Sequence, residues 1–175
     1  LDLKLGKAAI KSFLVPKGTP GMTVTRVEHK LGIRASDTAQ IVFENCRVPK
    51  ANLLGNPDIA QTAEDRRKAF GGVMQTFDNT RPMVAAQGLG VARAALDLTL
   101  ELLREKGIEL DFARSYHQMS AVESDLYDME ADYEAARLLV LKSAWMADNR
   151  QPNSMNASMS KAKAGRMGNQ VALKC

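Results

Sequence analysis

Apolar and polar residues alternate along the first fifty positions, and from about residue 70 the apolar ones recur every three or four. Period two marks strands with one covered face, and the 3-4 spacing marks helices. Residues 8–15, AAIKSFLV, predict a strand closed by the turn at 16–21, PKGTPG. MTVTRVEH (22–29) predicts a second, with Met22, Val24 and Arg26 on one face and Thr23, Thr25 and Val27 on the other. A polar loop over 31–38 leads to a third, where Ile41 and Phe43 alternate with Val42 and Glu44. Short polar turns between close strands predict an antiparallel sheet, with further strands expected on its N-terminal side. Residues 52–58, which include Gly55 and Pro57, read as a linker.

Beyond the linker the pattern is helical. Charges at Glu64, Asp65, Arg66 and Arg67 precede Phe70, Val73, Met74 and Phe77, in a helix predicted to run to Pro82. Leu89, Ala92, Leu96, Leu100 and Leu103 carry a second helix or a continuation, ended by Gly107. Gly88 and Gly90 within it permit the close approach of another backbone. Met119, Val122, Leu126, Met129, Tyr133, Ala136 and Val140 keep the spacing through a third helix, an antiparallel-bundle seam. Its other face carries Glu123, Asp125, Asp128, Glu130, Asp132 and Glu134, which read as a solvated face. A turn and cap at 151–154 open a fourth helix over 155–175, where Met155, Met159 and Met167 read as core filler. The fold class predicted is α+β: the end of an antiparallel β-domain, then an up-down, four-helix-type bundle.

Composition narrows the function classes. A hydrophobic content of 45% with 25% charged residues is that of a globular protein. The net charge of +4 is spread along the chain, with no basic run interleaved with aromatics, so nucleic-acid binding has little support. The same basic balance suits an anionic small molecule. Cys46 and Cys175 lack metal-ligand spacing and read as free thiols. No apolar run approaches membrane-spanning length. His29 and His117 are the only histidines, no serine has a nucleophile-elbow pattern, and zinc is excluded by ligand count. The chain opens without Met and stops with helical periodicity unbroken, as expected of a piece of something longer.

One stretch concentrates chemistry. Asp78, Asn79, Thr80 and Arg81 bring a carboxylate, an amide, a hydroxyl and a guanidinium together directly before Pro82. Asn and Thr favour caps and Pro the first helical turn, so the stretch reads as a helix start or a kink in a longer helix. It also reads as a platform gripping an anion near a helix N-terminus. His117-Gln118 reads as a capping pair or as a hydrogen-bonding pair for a ligand.

Taken together, these stretches resemble the acyl-CoA dehydrogenases, flavin enzymes that desaturate acyl-CoA thioesters. LGIRASDT (31–38), IVFENCRVP (41–49) and NLLG (52–55) are similar to one long family run. FDNTRP (77–82), followed by Ala85, Ala86 and Gly90, resembles a helix of the medium-chain branch. His117-Gln118 falls where the family has its His-Gln pair, and 162–170 resembles a later helix.

The resemblance implies that 1–57 is the C-terminal part of a middle β-domain and 58–175 an incomplete helical-bundle domain. It implies substrate contacts at Asp78, Asn79, Thr80 and Arg81, and FAD contacts at His117 and Gln118. It implies α,β-desaturation of an acyl-CoA to a trans-2-enoyl-CoA, with electrons passed to an electron-transfer flavoprotein. It further implies a homo-oligomer, a dimer or tetramer, placed in the bacterial cytoplasm or, in a eukaryote, the mitochondrial matrix.

Two departures stand beside the matches. The family's R-K-T-F-G motif, which binds FAD of the neighbouring subunit, is replaced by Gly107-Ile108-Glu109-Leu110-Asp111. Thr80 stands where one branch carries its catalytic glutamate, so the base is expected downstream of Cys175. Two alternatives follow: a non-catalytic or half-site subunit of a heteromeric dehydrogenase, and a ligand-free helical oligomerisation module.

Overall fold

The computed structural model describes residues 9–58, 62–111 and 113–175, with side chains in the first helix described at 64, 65, 71 and from 74 onward. The fold class is α+β, as predicted. The chain divides into two compact units, Leu1–Phe70 and Gly71–Cys175.

In the first unit, β1 (Ser12–Phe13) pairs antiparallel with β4 (Leu53–Leu54), and β2 (Met22–Val27) with β3 (Ala39–Phe43). The expected sheet is therefore two separate ribbons among the described residues. The strand expected over 8–15 shortens to β1, and Ala8 lies outside the described residues. The expected linker contributes β4, which at two residues is too short to show a period.

The alternation expected along β2 breaks at a bulge. Val24 pairs with Ile41 but Arg26 with Gln40, leaving Thr25 as the extra residue. Its hydroxyl donates to the Gln40 carbonyl at 3.3 Å. Gly21, at φ +84°, opens this ribbon, and a Cβ there would lie 2.3 Å from the Glu44 carbonyl oxygen. No other residue fits.

The helices are α1 (Ala63–Arg104), α2 (Ala121–Asp148) and α3 (Ser154–Lys174). Of the two expectations for the stretch after Pro82, a second helix or a continuation, the continuation forms, and Pro82 lies inside one helix. Proline in a helix interior costs about 3 kcal/mol and leaves the Asp78 carbonyl without its usual donor. Burial offsets that cost: Pro82, Ala85, Leu89, Ala92 and Leu96 follow a 3-4 stripe and are all buried. The side chains of Phe70 and Val73, expected in the same stripe, lie outside the described residues.

Matching stripes on α2 (Leu126, Met129, Ala136, Val140) and α3 (Ala164, Met167, Val171) complete the core. Where α1 crosses α3 the backbones touch. A Cβ on Gly88 would stand 3.1 Å from the Ala164 carbonyl oxygen, and one on Gly168 2.9 Å from that of Gly88. Gly90, also expected at a close approach, meets nothing within 4 Å.

Two further expectations are corrected. Met167 is core at 1% exposure, but Met155, at 69%, and Met159 are exposed, since both fall off the α3 stripe. The acidic face of α2 is not uniformly solvated. Glu123 is buried in the place expected of Val122, because it closes the helix cap, and Glu130 is half-buried against Arg93. The others stay outside, Asp125 paired with Lys174 at 2.7 Å and Asp132 with Lys163 at 2.6 Å.

Candidate functional site

Four successive helical residues point in four directions, about 100° apart. Since Phe77–Pro82 lies inside α1, only Asp78 and Arg81 share a face. The Arg81 Nη1 donates to Asp78 Oδ1 at 2.5 Å, with the side chains 25% and 14% exposed. Asp78 extends the buried stripe toward the N-terminus of α1, one turn before Pro82.

Asn79 is exposed, and the Thr80 hydroxyl donates back to the Phe77 carbonyl at 3.3 Å. Of the two readings of this stretch, the helix start is overturned, because α1 begins at Ala63, and the position inside a longer helix holds. No free helix N–H groups or positive dipole end are available here, and attraction for an anion rests on the Arg81 guanidinium itself. Among the described residues only its Nη1 is engaged, which leaves donors on Nε and Nη2.

His117 and Gln118 sit in a 3-10 turn, Tyr116–Gln118, just ahead of α2, and both are exposed. The His117 ring stands edge-on to Tyr116, centroids 6.3 Å apart. They do not cap the helix. Ser120 and Glu123 do: the Glu123 N–H donates to the Ser120 hydroxyl at 3.3 Å, and the Ser120 N–H to Glu123 Oε2 at 2.7 Å. This function of Glu123 escaped the reading of the acidic face, although the S-x-x-E signature at 120–123 was there to find.

Between α1 and this cap lies an open cleft of about 900 Å³, with Glu109, Asp111, Arg114 and Glu123 among its walls. Gly107, at φ +73°, ends α1 in a Schellman motif: Ile108 N–H donates to the Leu103 carbonyl and Gly107 N–H to that of Arg104, both at 3.0 Å. Arg104 faces Glu109 at 3.4 Å, and Arg114 bonds Glu123 at 2.5 Å. Asp111 Oδ1 accepts from the Ala113 N–H at 3.0 Å. Hydrogen bonds from the Ser120 N–H and hydroxyl, with Arg114 nearby, hold the Glu123 carboxyl below its ordinary value despite burial.

A clamp ties α1 to α2 one helix face away. Arg93 grips Glu130 with two bonds of 2.8 Å, holds Asp97 at 2.9 Å, and lies 5.1 Å from the centre of the Tyr133 ring. The Glu130 bonds raise its already high pKa further. Among the described residues there is no cluster of metal ligands, and no helix is long and apolar enough to cross a membrane.

Comparison with known proteins adds a family. The family model for the acyl-CoA dehydrogenase C-terminal domain matches residues 70–175. The mitochondrial short-chain specific acyl-CoA dehydrogenase of Bos taurus is 39% identical, across 93% of this chain and 37% of its own length. Butyryl-CoA dehydrogenase of Megasphaera elsdenii superposes with a TM-score of 0.73 at 31% identity, covering 97% of this chain and 41% of the other. A chain from the structure of the electron transferring flavoprotein of Acidaminococcus fermentans gives 0.76 at 34%, covering 99% and 43%. The chain spans about two-fifths of the length of the relatives it matches.

Proposed function

This chain belongs to the acyl-CoA dehydrogenase family, and we propose that it forms part of an FAD-dependent enzyme that desaturates an acyl-CoA thioester to the trans-2-enoyl-CoA. In this reading residues 1–57 end a middle β-domain and 58–175 belong to the helical domain. Electrons pass to an electron-transfer flavoprotein, a partner consistent with the similarity to a chain from the Acidaminococcus structure. The protein works as a homo-oligomer in the cytoplasm of a bacterium or the mitochondrial matrix of a eukaryote.

The observation that carries the proposal is the Asp78–Arg81 pair, three-quarters or more buried on one face of a helix that the family model covers. A fixed guanidinium with unused donors suits the phosphates of CoA, and Asp78 holds it in one orientation. Asn79 and Thr80 complete the assignment on adjoining faces. His117 and Gln118, exposed and free of the capping duty, have the donors and acceptors to meet a flavin, which when bound supplies the electron acceptor. We assign no catalytic residue to this chain, because the Thr80 hydroxyl, bonded to its own helix, cannot remove an α-proton.

In the full-length protein, Arg81→Ala raises KM for acyl-CoA about tenfold or more, and Arg81→Lys recovers part of the loss. An unchanged KM in Arg81→Ala removes the substrate assignment. A second reading, a half-site subunit of a heteromeric dehydrogenase, is favoured by one feature, the acidic segment Gly107–Asp111. Full-length protein that is yellow and active on its own counts against it.

A further inference from the structure

We infer that the cleft at the C-terminal end of α1 is built against phosphate, so that flavin bound by this protein is held without help from segment 107–111. The inference rests on the proposed flavin dehydrogenase and concerns the segment to which the family resemblance gives a pyrophosphate contact.

Three observations point the same way. The segment follows the C-terminus of α1, where the helix dipole is negative, and its Schellman hydrogen bonds direct the Gly107 and Ile108 N–H groups back onto the helix carbonyls. Those amides are spent and cannot cradle an anion. Next, Glu109 and Asp111 are exposed carboxylates on the cleft wall, and each repels a phosphate. Finally, each guanidinium beside the segment already has a carboxylate partner, Arg104 with Glu109 and Arg114 with Glu123, which offsets part of its positive charge, and of the two only Arg114 lines the cleft. Lys106, exposed beside them, does not line the cleft.

Glu109 is decisive, because it adds a negative charge to the cleft wall and offsets that of Arg104, 3.4 Å away. Replacing its carboxylate with an amide removes the repulsion and frees that arginine. Asp111→Asn removes a second charge while keeping the oxygen that accepts from Ala113.

The test uses the full-length protein, stripped of flavin and titrated with FAD, against the double variant Glu109→Gln/Asp111→Asn. Circular dichroism melts verify that both are folded. The expected result is FAD binding at least about fivefold tighter in the variant, with the gain shrinking in high salt as the repulsion is screened. Affinity unchanged or weakened in the folded variant overturns the inference. If the wild-type protein nonetheless turns over acyl-CoA, the proposed function survives that failure. No FAD binding by either form, with no turnover, overturns both.

Discussion

Glu123 is the most heavily engaged carboxylate at this end of the bundle, accepting from the Ser120 N–H and from Arg114 while its own N–H donates to Ser120. Its pKa is depressed from the ordinary 4.5, so the stability it contributes is complete above that value and fades as acid protonates it in the folded protein. Glu123→Gln keeps a capping side chain but cannot titrate. The wild type is expected to melt above the variant near neutral pH, with the gap closing below pH 4.5. A gap that stays constant from pH 7 to pH 3 would break the link between this charge and the cap. The position was legible as a cap but not as a buried group, because the period alone assigns Val122 to the core. Here local hydrogen bonding decides which neighbour turns inward. Asp78 and Arg81 differ: their types were legible, but their isolation from Asn79 and Thr80 depends on the stretch being mid-helix.

At the scale of elements, α1 and α3 are set by glycine as much as by leucine. Gly168→Ala pushes a methyl into the Gly88 carbonyl, an overpacking cost of about 1–3 kcal/mol that exceeds the helix-propensity gain of under about 1 kcal/mol. Gly90→Ala meets open space and is expected to stabilise by up to about 1 kcal/mol. Urea denaturation of the two variants should therefore move in opposite directions, and a shared direction would refute the crossing geometry. A close approach was readable from the glycines of α1, whereas its partner on α3 was not, because periodicity says nothing of which backbone arrives. Pro82 left two readings open, a helix start or a kink in a longer helix, for a related reason. Propensity favours a helix end at proline, but the buried stripe that runs on from Pro82 through Leu96 outweighs one lost hydrogen bond.

Across the whole molecule, the helical unit was far more legible than the strands. Its seams repeat over many turns, while the ribbons of β1 to β4 are too short for pattern to settle pairing. The mistaken methionines carry one further consequence. Thioether sulfur is oxidised by mild peroxide at a rate that follows exposure. Met155 and Met159 should therefore convert to sulfoxide in this chain while Met167 is spared until unfolding, as peptide mass spectrometry can read. Repeated on the full-length assembly, the same chemistry becomes a footprint. Protection gained at Met155 or Met159 marks the side of α3 that lies against other protein, and equal oxidation of all three would contradict the packing of α3.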